Sequence, residues 1–453
     1  MTTHCLRSIT VALMWLAVAA SARADAFIEP VCITDHLTSP ARRRMSANTQ
    51  GQLLRGVDGA LKLVYWEGGP QTTPDTPSRV WFTQWTDATG WSARERVDRS
   101  QLPAPDGREI GGRHPAMAER ADGALFAAWH DHRHCLPSNY INNLEIYGNT
   151  RPTTATWATT DTRLSETPSG NAGDGDNGYA PQTVVRADGR IAVAWYDYHW
   201  SAFQSEICLR LSDTDGAFGA PGSIDAARLT QPADRASGDS GEDFIMPTLA
   251  ADTSGTIHLA WSTGRLDTTP ALYYGRYDAD GATWLEKGRL RDDVGGFDDP
   301  ARLVADPATG DVWLVYRDHS TTVSTTGALI AERRRLGASA FDPWVALTGV
   351  GADPVQPCAA VDHLGRLHVA YVDKASPSRQ VKYVVYDPAG GVVSSPETVT
   401  DSPHSGWARP ALALDDADRA YVVWERELGV NDGELWFATN RHRNAARHWR
   451  GYR

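Results

Sequence analysis

Apolar and polar positions alternate along this chain in short runs, and the runs come in pairs. The pattern is clearest over residues 247–261, PTLAADTSGTIHLAW, where one apolar run enters an Asp/Gly turn and a second climbs to a closing tryptophan. A period of two is the mark of a β-strand, and two such runs around a Gly-containing turn predict a hairpin. The same segment recurs at 115–129, 181–195, 301–316, 357–371 and 410–424, with a weaker first copy at 52–66. The closing aromatics are Trp66, Trp129, Trp195, Trp261, Tyr316, Tyr371 and Trp424, spaced by 63, 66, 66, 55, 55 and 53 residues.

A third apolar run follows most pairs, at 79–83, 144–148, 206–210, 272–276, 381–385 and 434–438, and a more polar fourth precedes the next copy. Four short antiparallel strands per repeat, at this period, make a propeller blade. The predicted fold is all-β, a seven-bladed β-propeller of four-stranded antiparallel blades. Helical periodicity is almost absent.

Residues 29–35 (EPVCITD) look like the fourth strand of the sixth repeat at 396–401 (PETVTD), yet they precede the first repeat. The expectation is that this N-terminal strand completes the last blade and removes the ring's open edge, with the tail at 441–453 as a competitor. The implied organisation is a signal peptide at 1–24, a closing strand and lead-in at 25–44, the propeller at 45–443 and a tail at 444–453.

The signal peptide is read from Arg7, an apolar run at 9–20 and the small-residue site Ala22-Arg23-Ala24,. The run is too short to span a bilayer, so a secreted or periplasmic protein is expected. Cleavage would take the formal net charge from −12 to −14, which argues against nucleic-acid and anionic-membrane partners; a monomer is expected. Cys32, Cys135, Cys208 and Cys358 remain, as one or two disulfides or as buried thiols,.

The turns after the third strands resemble worn Asp boxes (Ser-x-Asp-x-Gly-x-Thr-Trp): residues 277–284 keep Gly281, Thr283 and Trp284 but hold Ala279 at the aspartate place, and 212–218 is degenerate in the same way. Gly112-Arg113-His114-Pro115, with Arg133 one hairpin later, resembles the Arg-Ile-Pro and second arginine of sialidases. The chain therefore resembles the sialidase superfamily and its BNR-repeat relatives over nearly its whole length. The resemblance implies a propeller and a carbohydrate ligand. Sialidases, however, have six blades and a Tyr/Glu nucleophile that has no placed counterpart here, so the likeness extends to fold more than to chemistry.

Propeller topology puts the loops after the second strand and the loops leading into the first on one rim. There the sequence gathers arginines (Arg113, Arg133, Arg265, Arg317 and Arg409) with Trp407, read as binders of an anionic sugar,. Solvated loops and blade-to-blade ion pairs are the structural alternative. His130, His132, Tyr196, Tyr198 and His199 crowd blades two and three and are the candidate catalytic groups. His114, Tyr179 and Asp243 fall on the same rim. A histidine paired with Tyr196 or Tyr198, beside an arginine that neutralises a uronate, is the set that β-elimination requires, and propeller polysaccharide lyases use such a set. No cofactor is certain. The alternation His130, His132, His134 could hold Zn, and the acidic stretch 173–177 could hold Ca. Two functions follow: a lyase or glycosidase acting on an acidic polysaccharide or glycoconjugate, and a non-catalytic glycan- or protein-binding propeller.

Overall fold

The second strands carry the core because both of their faces are covered, one by each neighbouring blade. In blade two this strand is Leu125–Asp131, with the inner strand Gly112–Glu119 on one side and Glu145–Arg151 and Thr162–Arg163 on the other. The computed structural model describes residues 27, 29–34, 42–46, 49–68, 78–99, 111–133, 144–165, 178–200, 204–221, 223–235, 243–264, 270–292, 294, 299–319, 327–349, 351–375, 379–400, 408–429 and 432–440. Within them the chain forms seven antiparallel blades around a central channel. Blade three has Gly178–Val185, Ile191–Asp197 and Glu206–Leu211, and its outer strand is reduced to a bridge between Cys208 and Arg228. Blade four runs Phe244–Ala251, Ile257–Thr263, Ala271–Asp278 and Thr283–Asp292. The only helices among the described residues are Ile224–Ala227 and the 3-10 turn Pro232–Asp234.

The seven closing aromatics are at most 5% exposed. Each large ring removes about 200 Å² from water, up to roughly 5 kcal/mol at 25 cal/mol per Å². A second set of rings locks blade to blade. In blades one to five the aromatic after the third-strand turn packs on the preceding blade: Trp91 on Phe437, Trp157 on Phe82, Phe218 on Phe126 and Phe341 on Tyr274, while Trp284 Nε1 donates to Leu229 O at 3.0 Å. The turns that resembled worn Asp boxes thus supply pegs between blades.

The ring closes as expected. Val31–Cys32 pairs antiparallel with the third strand of blade seven, Asp432–Thr439, through Val31↔Phe437 and Cys32↔Trp436. Ile33 N donates to Leu435 O (2.8 Å), and Leu435 N donates to Thr34 Oγ1 (3.1 Å). Blade two repeats this pairing with Leu164 and Ser165 against Ile146, and blade three with Leu229 and Thr230 against Ile207. The N-terminal segment is therefore a true fourth strand. Arg42–Arg44 then pairs with the second strand of blade one, Leu61–Gly68, and through Arg42↔Gly433 with blade seven, joining the two blades in one sheet.

Cys32, Cys208 and Cys358 lie in blades seven, three and six, and no disulfide joins these three, for which Cα atoms would have to come within about 7 Å. Cys208 and Cys358 are the buried thiols of the alternative reading. Cys135, the signal peptide at 1–24 and the tail at 441–453 lie outside the described residues. No helix among the described residues is long and apolar enough to cross a membrane.

Candidate active site

Two local devices build the rim away from the Asp/Gly hairpins. The first is a bulge at the start of the inner strand. Pairing slips between Arg113 and Ala116, Tyr179 and Gln182, Ile245 and Thr248, and Val355 and Cys358. At each slip a residue just before proline takes a left-handed backbone: His114 (φ 51°), Ala180 (44°), Met246 (51°) and Gln356 (53°), with Arg409 (37°) in blade seven. A non-glycine residue held this way costs of order 1 kcal/mol, and such strain gathers where side chains are being aimed. His114 is aimed between Trp66 of blade one (ring centroids 5.7 Å) and His130 (4.9 Å).

The second device is the aspartate two residues after the closing tryptophan. Asp131 accepts from Trp129 Nε1 (3.0 Å) and Arg133 N (2.9 Å); Asp197 accepts from Trp195 Nε1 (2.9 Å) and His199 N (3.0 Å). The carboxylate ties the turn to the buried indole, so residues on either side of it, His130 and His132 or Tyr196 and Tyr198, are held at the rim.

Together they produce one continuous patch across blades one to four. His130 touches His132 (5.4 Å) and Tyr179 (5.5 Å); Tyr179 stacks on Tyr196 (5.3 Å) and meets Tyr198 (6.0 Å), whose hydroxyl donates to Asp243 Oδ2 at 3.2 Å. His130, His132 and Tyr196 are 5%, 6% and 3% exposed, so each sits at the floor, while His114, Arg113, Tyr179 and Tyr198 keep partial solvent access. The Nδ1 atoms of His130 and His132 are buried and find no hydrogen-bond partner among the described residues. Buried polar atoms are nearly always paired, so each exception calls for an explanation.

Burial pushes the His130 imidazole down to about 3, and Arg113 adds to it. Burial likewise lowers His132, with Arg113 and His130 adding, and lowers His114, with His130, Arg409 and Arg113 adding. Burial raises Tyr196 and Tyr198, helped by Tyr198 and Tyr179 for the first and by Asp243 for the second. At neutral pH the patch therefore holds uncharged imidazoles that can accept a proton and intact phenols that can give one.

The arginines separate into two groups. Arg113 donates from Nε to Ser78 Oγ (2.6 Å), lies over Trp66 (5.4 Å) and acts electrostatically on all three histidines. Arg133 turns away: it pairs with Asp131 (2.8 Å) and Asp161 (2.7 Å) and covers Tyr147. Arg317 pairs with Asp299 (2.9 Å) and Asp353, and Arg409 with Glu425 (3.5 Å). His199 packs its ring on Trp200. Arg265, Trp407 and His134 lie outside the described residues, as does the stretch 173–177; among the described residues no three His, Cys, Asp or Glu side chains are grouped to hold a metal. Two members of the patch, His114 and Tyr179, fall on the rim in sequence without being candidate catalytic groups, and it is the bulge beside the recurrent proline that brings them into contact with those groups.

No family model matches the chain, and no curated protein does. Solved structures do. A PL25 ulvan lyase bound to -[GlcA(1-4)Rha3S]- superposes with TM-score 0.51 at 10% identity, covering 87% of this chain and 92% of its own. A Penicillium chrysogenum α-L-arabinanase complexed with arabinobiose gives 0.50 at 13% identity, covering 91% and 98%. A Hadza microbial sialidase gives 0.48 at 15%, covering 82% and 74%. At these identities the likeness is one of fold, a β-propeller,.

Proposed function

We propose that the protein is an exported carbohydrate-active propeller that cleaves a uronate-containing polysaccharide by β-elimination at the rim of blades one to four. The observation that carries this reading is the histidine–tyrosine patch itself. His130, a neutral buried imidazole, lies in ring contact with Tyr179, which stacks on Tyr196, a phenol that burial keeps protonated, with the Arg113 guanidinium alongside. Elimination needs a base to take the proton at C5 of the uronate. The C–H electrons then form the C4=C5 double bond, the bond from C4 to the glycosidic oxygen breaks, and an acid protonates the leaving oxygen. Arg113 is the cation placed to offset the carboxylate charge that grows as the C5 proton leaves.

Hydrolysis by paired carboxylates is the weaker fit. Asp131 and Asp197 are 0% and 4% exposed and bound to indole and backbone N–H groups, which leaves Asp243 as the carboxylate against the patch among the described residues,. The propeller of an ulvan lyase that binds a glucuronate-containing chain has the same architecture, which supports the substrate class. Export rests on residues 1–24, and intact-mass analysis of the protein recovered outside the cytoplasm tests it. The activity is tested by incubating the purified protein with polyuronides, sulfated uronate polymers and neutral arabinans, following the ultraviolet absorbance of unsaturated ends. Turnover confined to the uronates is expected. Saturable binding without new ends would replace the enzyme by a glycan-binding propeller, and reducing ends without unsaturation would replace elimination by hydrolysis.

A further inference from the structure

The lead-ins of blades two, four and six reach back to the blade before, and the residue at that place differs with consequences for the patch. Before blade two it is Gly111, where a Cβ would come within 1.9 Å of Ser78 O, so no side chain fits. Before blade six it is Asp353, spent on Arg317 of blade five. Before blade four it is Asp243, whose carboxylate reaches a tyrosine of the patch instead of an arginine.

We propose that Asp243 is the positioning residue for Tyr198, fixing the phenol of blade three against the rest of the patch from the neighbouring blade. Asp243 is 9% exposed and itself held: Oδ1 accepts from Ser205 N (3.1 Å), and its carbonyl accepts from Gly264 N (3.2 Å). Ser205 is tied in turn through Oγ to Phe244 O (2.6 Å). Oδ2 is thereby aimed at the Tyr198 hydroxyl at 3.2 Å. The hydroxyl proton points to Asp243, and the ring is pinned edge-on to Tyr179 and Tyr196, both 6.0 Å away. The titratable groups around Tyr198 are Asp243 from the lead-in of blade four, Tyr179 from the inner strand and Tyr196 from the second strand; Ser205 adds a neutral hydroxyl. Asp243 supplies the one negative charge in that set, and a nearby negative charge keeps a phenol protonated.

The inference rests on reading the patch as an acid–base site. Its test is Asp243→Asn, which keeps an acceptor oxygen but removes the charge, beside Asp243→Ala, Tyr198→Phe and the double variant Asp243→Asn/Tyr198→Phe in the full mature protein. Alkaline difference titration of tyrosinate absorbance needs no substrate. It should show one tyrosine ionising about one pH unit lower in Asp243→Asn than in wild type, and that signal should vanish in the double variant. On a uronate polymer, the alkaline limb of the kcat profile should move down by a similar amount in Asp243→Asn, and Asp243→Ala should lose more kcat than Asp243→Asn. An unchanged titration with only a lower melting temperature would overturn the inference. A shifted tyrosine in a protein that turns over no uronate would keep the Asp243–Tyr198 contact and overturn the acid–base reading instead.

Discussion

Buried histidines meet tyrosines at two ends of this propeller, and the two ends treat them in opposite ways. At the hairpin end of blades four and six, His258 is held between Asp252 (3.1 Å) and Tyr274 OH (2.6 Å), and His368 between Asp362 (2.9 Å) and Tyr383 OH. Both ring nitrogens are used, and the aspartate also caps the turn by accepting backbone N–H groups. At the rim, His130 and His132 each leave a buried Nδ1 with no hydrogen-bond partner among the described residues. The first arrangement lowers the energy of the fold; the second raises it. Ring contact between histidine and tyrosine is common to both, so hydrogen-bond satisfaction, not residue type, separates a staple from a working site.

The sharpest way to break that contrast is to exchange an imidazole for a ring of similar shape at each end. His130→Phe should cut turnover on a uronate substrate by about 100- to 10,000-fold, the range of a lost general acid or base, while stability measured by urea unfolding stays level or rises, because an orphaned polar atom is removed. His258→Phe should do the reverse, lowering stability by about 1–3 kcal/mol through the stranded Asp252 and Tyr274, with turnover retained. Equal losses at both ends would erase the distinction.

Acid sharpens it next. His114, His130 and His132 are all held below the 6.5 of an exposed histidine, so between 6.5 and the folded value the unfolded chain binds more protons,. Their stability contribution is full above about pH 6.5 and is lost as pH falls, toward about 3 for His130, at up to about 1.4 kcal/mol per pH unit for each,. His258 is lowered too, but Asp252 works against its burial. Urea midpoints from pH 7 to pH 4 should therefore fall less steeply in His130→Phe/His132→Phe than in wild type, and an unchanged slope would place the acid sensitivity elsewhere.

The aromatic count and the Asp/Gly turns made the ring legible, since strand period and hairpin chemistry are local. The N-terminal closure was legible as well, because residues 29–35 repeat the fourth-strand pattern of 396–401. The partners of the arginines were not. Arg133, Arg317 and Arg409 look in sequence like free forks on a rim, yet each meets a carboxylate that only the folded chain brings near: Asp161, across blade two, lies 28 residues from Arg133, and Asp353, in the lead-in to the next blade, lies 36 from Arg317. Of the sequence's rim, what the structure assembles is the histidine–tyrosine half, and His114 and Tyr179, on that rim in sequence too, join it through a bulge that composition does not encode.

The same contrast reaches the backbone, where the expected effect is smallest. At the hairpin end the left-handed positions are glycines in six blades, Gly59, Gly123, Gly189, Gly255, Gly310 and Gly365, with Asp418 in the seventh. Just before the first repeat residue of the inner strand they are side-chain-bearing residues in five blades, His114, Ala180, Met246, Gln356 and Arg409, with Gly51 at that place in blade one, although glycine would fit the conformation better throughout,. Ala180 tests whether that strain is stored for the site's sake. It lies between Tyr179 and the bulge, and its methyl group is 3% exposed. Ala180→Gly should stabilise the protein by about 0.5 kcal/mol, the relief of a left-handed alanine less the entropy glycine adds to the unfolded chain. Gly189→Ala, in the same blade's hairpin, should destabilise by about 1 kcal/mol. If Ala180→Gly also lowers kcat while leaving the fold more stable, the bulge is holding Tyr179 in place. If kcat is unchanged, the left-handed turn belongs to the architecture of the blade and the site depends only on the rings it carries.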